Sequence, residues 1–427
     1  MYQWLKDLFP LNRSITGEGN RLTIKYFKRI NPELKNIKFK SGTKVFDWIV
    51  PLEWNVKDAY IEHVKSRKKF AEFKKNNLHL VGYSYPLNKI IDLNKFKNKI
   101  YTDKKSQNAI PYVTSYYKKN WGFCLSKKQK KNLPSGKYKV FINSTLKKGY
   151  LDMSHAILRG QSKKEIMFSS YICHPSMANN ELSGPVLLNG IMQYIKTKYK
   201  KNHYTYRFLL TSETIGSIAY LSKYHKYLKS KVICGYNLSC VGDERSYSHI
   251  SSPTGNNLAD VSLSSSLINL KPQKKYSFLD RGSDERQYCS PGIDLPFCTF
   301  SKSKFGEYPE YHTSKDNLSL VTEKGLQESL DVFKNIIDTF ENGPIPKSRT
   351  MCEPQLSKRN LYPTTSISRT YGKASFDNLD TRLDLIAYSN GKRNLFEIAK
   401  IIKKPLLELN REFKVLENEK ILSSKFI

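Results

Sequence analysis

The sequence predicts an α/β fold built on a largely parallel sheet, accompanied by further domains. One observation supports the fold and another supports the number of domains. Between about residues 150 and 340, apolar segments of strand length alternate with segments of helical pattern, which is typical of strand–helix–strand units. The chain has 427 residues, too many for one hydrophobic core, so two or three domains are expected. A β-rich segment before this region and a short helical segment after it supply the further domains.

The N-terminal third changes character near residue 38. Residues 1–35 are predicted to be helical, because apolar residues recur at helical spacing on both sides of a glycine-containing turn at 14–20. From about 38 to 150, short segments rich in Val, Ile, Tyr, Phe and Trp are punctuated by Pro and Gly, which predicts a β-rich unit. Its strands are expected at 44–50, 58–62, 78–83 and 138–143.

The remaining elements are predicted from the same patterns. In the central region, strands are expected at 165–172, 204–211, 231–238 and 295–300, and helices at 183–195, 217–224 and 326–340. A linker is predicted at 341–349. After it, helical patterns at 379–389, 394–402 and 405–417 and a short strand at 421–427 indicate a winged-helix unit. Three domains are expected. The α/β domain comprises residues 1–37 together with 150–345, the β-rich insertion comprises 38–149, and the winged helix comprises 351–427.

The net charge of +34 raises the question of a nucleic-acid partner. Residues 1–150 hold 33 Lys and Arg against 10 Asp and Glu, whereas residues 351–427 hold 14 against 9. The excess thus lies far in sequence from the predicted winged helix, although a DNA-reading unit should concentrate charge on itself. We therefore expect solvated lysine-rich faces and no nucleic-acid partner. An anionic partner such as nucleic acid or an acidic glycan is the alternative.

Composition also bears on location. No stretch reaches the 18 or more apolar residues of a membrane span, and the N-terminus lacks the apolar region and cleavage site of a secretory signal. The seven cysteines form no Cys-x-x-Cys pair and lie mostly in apolar runs, which indicates reduced core residues. These features predict a cytoplasmic protein. The sequence leaves open whether it forms a homo-oligomer.

Two histidines and several carboxylates follow predicted strands or lie in later loops. They are His174, Glu213, Asp243, Asp284, Glu285 and His312. In an open α/β sheet, loops at the carboxyl ends of strands converge on one crevice. Neutral imidazoles and carboxylates delivered together are what a zinc ion requires. The sequence therefore predicts a metal site at this end of the sheet.

These residues carry a resemblance to a known family. Residues 165–345 resemble the zinc exopeptidases of the co-catalytic aminopeptidase type. His174 matches their first histidine, and 178–184 matches their Ala-Asn-Asp-x-x-Ser-Gly motif. Glu213 matches their Glu pair, and 311–316 matches their Tyr-His-Thr-x-x-Asp motif. The resemblance implies a three-layer, phosphorylase/hydrolase-like α/β fold with a mixed sheet.

Nearly the whole chain resembles a bacterial aminopeptidase-like family more closely. That family has a β-rich domain inserted near the N-terminus and a closing winged helix, and its members often accompany surface-polysaccharide synthesis genes. Further matching segments are 11–20, 111–117, 121–125, 281–292 and 352–356. The resemblance implies a metal-dependent hydrolase that cleaves an amide bond, with a small peptide or an N-acylated amino sugar as substrate.

Departures from the family pattern bear on the number of metal ions. Asn180 stands where those aminopeptidases have a bridging Asp, Ser239 replaces the Asp after the third strand, and the Glu pair is reduced to Glu213. A neutral amide bridges two zinc ions poorly, so one zinc is expected rather than two. Its ligands are expected among His174, Asn180, Glu213, Asp243 and His312. The general base is sought among Glu213, Asp284, Glu285 and Glu181.

Three functions remain open at this point. The first is the metal-dependent amide hydrolase, which His174, Glu213 and His312 favour. The second is a catalytically degenerate peptidase fold that binds a ligand or regulates, which Asn180 favours. The third is a winged-helix regulator that uses the peptidase-like fold as a sensor.

The aromatic residues are expected to lie mainly in the core. Trp48, Trp54 and Trp121 are assigned to it, because large apolar rings are most often buried. Tyr116 and Tyr117, which stand next to two lysines, are the alternative: they would line a glycan or peptide groove.

Overall fold

The structure is a computed structural model that describes residues 1–362 and 373–427. In chain order its strands are β1 (Lys35–Lys40), β2 (Lys44–Val45), β3 (Trp48–Ile49), β4 (Glu53–His63), β5 (Lys69–Phe70), β6 (Leu87–Asp92), β7 (Ile100–Tyr101), β8 (Phe123–Cys124), β9 (Lys137–Lys147), β10 (Tyr150–Leu158), β11 (Glu165–Tyr171), β12 (Thr205–Thr211), β13 (Val232–Leu238), β14 (Tyr247–Ile250), β15 (Gln273–Tyr276), β16 (Phe297–Ser301), β17 (Ile345–Ser348) and β18 (Leu422–Lys425).

The α-helices mostly follow the predicted positions. They are α1 (Tyr2–Leu8), α2 (Glu18–Ile30), α3 (Leu93–Phe96), α4 (Lys127–Lys131), α5 (Ser183–Lys198), α6 (Ile215–Lys231), α7 (Leu258–Ser266), α8 (Glu285–Tyr288), α9 (Glu323–Glu341), α10 (Lys373–Tyr388), α11 (Leu395–Ile402) and α12 (Leu406–Asn418). Within the described ranges, none combines the length and the apolar character that crossing a membrane requires.

Eight strands form one mixed sheet in the order β1-β10-β12-β11-β13-β16-β14-β15. The neighbours β12, β11, β13 and β16 run parallel, and antiparallel strands flank them. Phe168 on β11 lies on one face, where it stacks on Phe208 and Tyr236 and meets Phe333 of α9 edge-on. Its neighbour Met167 belongs to the hydrophobic cluster that contains α6, as the alternation of side chains along a strand requires. Helices therefore cover both faces of the sheet.

The β-rich segment packs against the sheet face that α6 also covers. Strands β4, β5, β6 and β9 form a separate four-stranded sheet in the order β5-β4-β9-β6. One continuous hydrophobic cluster joins Trp54 and Val140 of this segment to Met167 and Tyr220 of the α/β region. Strand β1, which spans the predicted boundary at 37/38, pairs with β10 in the large sheet.

Two predicted strands of the segment differ from the structure. Residues 78–83 begin in a 3-10 helix, Asn77–His79, because the Asn76 side chain accepts a hydrogen bond from the Leu78 backbone N–H and caps it. Residues 44–50 form only the short strands β2 and β3 around a turn, in which Phe46 has a φ of 53°.

The predicted linker at 341–349 is also wrong. It contains β17, which pairs with β18, and Glu341 accepts backbone hydrogen bonds from His203 and Tyr204. The C-terminal unit therefore docks on the α/β region: α11 packs against α7 and α12 against α9. Sequence patterns also missed β14 and β15, which form one edge of the large sheet, and α7, which packs on that sheet.

Candidate functional site

The predicted convergence of loops brings three side chains together. His174 follows β11, Glu213 follows β12, and His312 lies in the loop between β16 and α9. The ring centroids of His174 and His312 are 5.2 Å apart, and Nε2 of His174 lies 3.9 Å from Oε2 of Glu213. Because β11 and β12 are parallel neighbours, their carboxyl ends meet at the same edge of the sheet.

Both imidazoles are held neutral at neutral pH. Burial lowers the pKa of His174 well below its usual range, and the His312 ring and the Arg13 guanidinium lower it further. Burial also lowers the pKa of His312 to about 4. Nε2 of His312 is buried and has no hydrogen-bond partner among the described residues. A neutral imidazole with a free lone pair is the form that binds metal.

The loops around this site carry backbone strain. Ser176, Thr214, Cys240 and His312 have φ values of 46°, 63°, 56° and 56°, in the left-handed region that non-glycine residues rarely adopt. Each follows a strand of the large sheet or belongs to the His312 loop. Such strain persists where packing over-determines it, and it concentrates at binding and catalytic sites.

Asp316 ties the two histidine loops together. Its carboxylate accepts backbone N–H bonds from Ala178, Asn179 and Asn180 at 3.0, 2.6 and 2.9 Å, and a 2.8 Å bond from the Tyr308 hydroxyl. Sequence reasoning did not give Asp316 a role. Its signal was present, since it closes the Tyr-His-Thr-x-x-Asp motif.

Asn180 and Ser239, which replace carboxylates of the exopeptidase sequence pattern, belong to a neutral hydrogen-bond network. The Tyr171 hydroxyl lies 2.6 Å from Oγ of Ser239. The same Tyr171 hydroxyl accepts a 2.9 Å hydrogen bond from Nδ2 of Asn180. Oδ1 of Asn180 is buried without a partner among the described residues. Asn180 and Ser239 therefore contribute only neutral groups to this network.

Glu213 and Asp284 are neighbouring carboxyl groups, of which Asp284 is buried and Glu213 is half-buried. Burial raises the pKa of Glu213 to about 8, and the nearby Asp284 adds to the effect. Burial raises the pKa of Asp284 to about 6. Oδ1 of Asp284 accepts from the Thr214 backbone N–H at 2.7 Å and from the Ser217 hydroxyl at 2.8 Å, while Oδ2 has no partner in the described structure. Asp284 thus has one fixed and one open oxygen.

The geometry argues against the predicted roles of Asp243 and Glu285. The Asp243 carboxylate accepts four bonds of 2.8–3.0 Å, from Asn179, Arg245 and twice Ser303. The Glu285 carboxylate accepts four bonds of 2.7–3.2 Å, from Gly282, Ser283, Asn237 and Thr299. Four donors occupy the lone pairs of each carboxylate, so these two side chains fasten loops and offer nothing to a metal ion.

Glu181, the remaining base candidate, pairs with Arg13. Nε of Arg13 donates to Oε2 of Glu181 at 3.1 Å, and both side chains are fully buried. Burial raises the pKa of Glu181 to about 7, although the Arg13 charge opposes the shift. Oε1 of Glu181 has no partner among the described residues, as Oδ2 of Asp284 has none, and neither carboxyl group lines the cleft that His174 and Glu213 share. Asp284 is the better base candidate because it bonds directly to Thr214, which lines the cleft, whereas Glu181 is held in an ion pair with Arg13.

The cleft over the site has a volume of about 430 Å³ and is walled partly by the β-rich segment. The aromatic residues in its lining are Trp48, Tyr112, Tyr116 and Tyr117. Trp54 and Trp121 are buried as predicted, but Trp48 is 39% exposed. Its core assignment is wrong because the short β2–β3 hairpin projects it over the cleft instead of packing it inside.

His174, Glu213 and His312 offer a donor set that fits one zinc ion. With metal bonds of about 2.1 Å, tetrahedral ligand atoms stand roughly 3.4 Å apart. Nε2 of His174 and Oε2 of Glu213 are 3.9 Å apart, and the ligand atoms of all three side chains do not lie within 4.8 Å of one another in the described structure, so the loops must close around the ion. The described residues also hold a tighter group, His249, Asp260 and Cys298. There Asp260 already accepts bonds from His249, Ser252 and Asn257 and caps α7, which identifies a structural network.

Two family models match the chain. One, described as a domain of unknown function (DUF4910), matches residues 2–343, and a winged helix-turn-helix model matches residues 345–424. A protein of Clostridium acetobutylicum named as a candidate polysaccharide biosynthesis protein with an aminopeptidase-like domain is 39% identical over 404 residues. The match covers 93% of this chain and 90% of that protein.

Solved structures share the fold. A structure described as a candidate peptidase from Clostridium acetobutylicum matches with a TM-score of 0.89 and 36% identity, over 99% of this chain and 95% of that chain. A peptidase M28 precursor from Shewanella amazonensis has a TM-score of 0.58 at 10% identity, over 83% and 94% of the two chains. The zinc aminopeptidase BSAP from Bacillus subtilis has a TM-score of 0.54 at 12% identity, over 79% and 93%. The predicted aminopeptidase-type fold and winged helix are confirmed.

Proposed function

The chain belongs to the family described as domain of unknown function DUF4910, and we propose that it is a metal-dependent hydrolase that cleaves an amide bond. One observation carries the proposal. Two neutral imidazoles, His174 and His312, meet the Glu213 carboxylate in one cleft, beside an Asp284 oxygen that has no partner among the described residues.

His174, Glu213 and His312 would hold the metal, and zinc is the ion that this set of nitrogen and oxygen donors suits. Bound there, zinc would polarise a carbonyl and acidify a water molecule. We propose one ion, because Asn180 and Ser239 supply no charge with which to hold a second. The amide oxygen of Asn180 completes the ligand set as a neutral donor.

Asp284 is the proposed general base. Its Oδ1 is fixed by Thr214 and Ser217, so Oδ2 is presented in one orientation. In the reaction water adds to the carbonyl carbon, its proton passes to Oδ2 of Asp284 and then to the leaving nitrogen, and the C–N bond breaks. The products are a carboxylate and an amine, and Asp284 returns to its starting state.

The substrate is proposed to be a small peptide or an N-acylated amino sugar. The peptidase-like fold supports the first. The name of the relative from Clostridium acetobutylicum, which includes polysaccharide biosynthesis, supports the second. A binding role without catalysis is the alternative function, and the neutral pair of Asn180 and Ser239 is the observation that favours it.

The test is the zinc content of protein purified without chelator, with turnover of an alanine p-nitroanilide and an N-acetylglucosamine substrate measured in parallel. Wild type should carry about one zinc per chain, and His174→Ala or His312→Ala should lose it. His225→Ala, which alters an imidazole outside the cleft, should keep it. Asp284→Asn should keep zinc and lose about 100-fold or more in turnover. Equal zinc in all variants would exclude this site, and zinc without turnover of any amide would favour the binding role.

A further inference from the structure

Arg286 is a cation that lines the same cleft as His174 and Glu213. Its guanidinium is fixed by two neutral acceptors: Nε donates to the Ser283 carbonyl at 2.9 Å, and Nη2 donates to the Thr214 hydroxyl at 3.0 Å. These two bonds orient the planar group and leave its other N–H donors unused. A guanidinium held in this way is prearranged for bidentate contact with a carboxylate.

Arg286 forms no ion pair within the part of the chain that the structure describes. Its charge lowers the pKa of Glu213 and Asp284 against the effect of burial, yet no ion pair within 4.0 Å joins it to either carboxylate. Arg21 and Arg382, which are half-buried like Arg286, each have such a partner, in Glu53 and Glu412. The cleft therefore has an oriented positive charge that the protein itself does not neutralise.

The positive character continues beyond the cleft. Tyr117, which is 52% exposed and has a φ of 63°, lines both the cleft and a neighbouring cavity of about 520 Å³. That cavity is also lined by Tyr85, Lys118 and Lys119. Neither lysine has a carboxylate within 4.0 Å among the residues described. Such a surface attracts anions and repels a free α-ammonium group.

We propose that the cleft takes an amide substrate that carries a carboxylate near the scissile bond, and that Arg286 binds this carboxylate. This deepens the proposed function and rests on it. A peptide read by its free α-ammonium group, as an aminopeptidase requires, is a poor match for a cleft with an unneutralised guanidinium. The carboxylate belongs either to an acidic sugar or to an N-acylated amino acid.

Binding is measured by calorimetric titration of the full chain with two matched pairs. N-acetylmuramic acid and N-acetylglucosamine are N-acylated sugars with and without a carboxylate, and N-acetylglycine and N-acetylglycinamide are the amino-acid counterparts. Glycylglycinamide supplies a free α-ammonium group. The carboxylated member of at least one pair should bind about 10- to 100-fold more tightly, and the pair that shows the preference identifies the source of the carboxylate.

Arg286→Met should abolish this preference, and Arg281→Met is the matched control. Arg281 is exposed, lies five positions away and does not line the cleft, so its loss changes net charge equally and should leave the preference intact. Thr214→Val removes the hydroxyl that orients Arg286, so it should weaken the preference without removing charge. This variant tests the inference if Arg286→Met does not fold.

Three results would overturn the inference. They are equal binding within both pairs in the wild type, an equal loss for both members of a pair in Arg286→Met, and tightest binding by glycylglycinamide. An equal loss for both members of a pair would mean that Arg286 only balances the Glu213 and Asp284 charges. Failure of the proposed function is distinguishable, because it would appear as absent turnover while the binding preference persists.

Discussion

Tyr112, which comes from the β-rich segment, contacts His312, a proposed metal ligand, twice. Its backbone N–H donates to the His312 carbonyl at 2.8 Å, and its ring meets the His312 imidazole edge-on with centroids 5.2 Å apart. The same ring lies 5.0 Å from that of His174, and Pro111 forms a β-bridge with Thr313. The β-rich segment thus forms one wall of the site and orients both imidazoles.

Removing the Tyr112 ring should weaken metal binding. Tyr112→Ala removes the packing that fixes both imidazoles, so zinc affinity should fall by about 10-fold or more, as is usual for groups that orient ligands. Tyr112→Phe keeps the ring and loses only the 2.8 Å bond to the Tyr116 hydroxyl, so its affinity should stay within about threefold. Competition with a chromogenic chelator measures both. Equal affinity in wild type and Tyr112→Ala would mean that the segment has no part in the metal site.

Adding a carboxylate at position 180 should change the metal count. Asn180→Asp places an anion where the amide oxygen now has no partner, and two dications need an anion between them. Zinc per chain should rise from about one towards two, and hydrolysis of an aminoacyl reporter should rise or first appear. Elemental analysis beside the wild type measures this change. Two tightly bound zinc ions in the wild type would contradict the single-ion proposal, because the charge would then come from another group.

Loss of Asp316 should destabilise the fold and the site together. Asp316→Ala leaves the buried backbone N–H groups of Asn179 and Asn180 without an acceptor, and it leaves the Ala178 N–H with only the backbone carbonyl of residue 316. The free energy of unfolding should therefore fall by about 3 kcal/mol or more. Urea unfolding measures it. Asp331→Ala is the control, since Asp331 makes only exposed bonds to Gln327 and Lys334 and should change stability by less than about 1 kcal/mol. Similar losses of stability in both variants would mean that Asp316 does not hold the two histidine loops together.

His155 should make stability depend on pH. Burial lowers its pKa from 6.5 to about 4, and the charge of Arg207 adds to the shift. The unfolded chain therefore takes up a proton near pH 6.5 that the folded chain refuses until about pH 4, so stability falls as the pH drops through this window. His155→Gln should remove about 1–2 kcal/mol of that fall, a figure reduced for partial solvent screening. Urea unfolding at pH 7.5 and pH 4.5 measures the free energy of unfolding of wild type and of His155→Gln. An equal loss of stability between the two pH values in both proteins would contradict the prediction.

The sequence alone determined the fold class and the centre of the site. Strand-length apolar runs followed by helical patterns predict parallel strands, and parallel strands bring the residues after their carboxyl ends to one edge. His174, Glu213 and His312 could be placed together for that reason. The motif of the last histidine also contains Asp316, although nothing in its local sequence indicates that its carboxylate reaches back to the turn at Asn180.

Tertiary structure alone decided which polar groups are free to act. Asp243, Asp284 and Glu285 look alike in the sequence, yet two have every lone pair occupied and only Asp284 keeps an open oxygen. Tyr112 and Arg286 likewise gain their roles from partners far along the chain. Residue type and spacing are local properties that a sequence displays directly. The hydrogen-bond partners that use up or leave open a side chain are non-local, and they are fixed only when the loops pack.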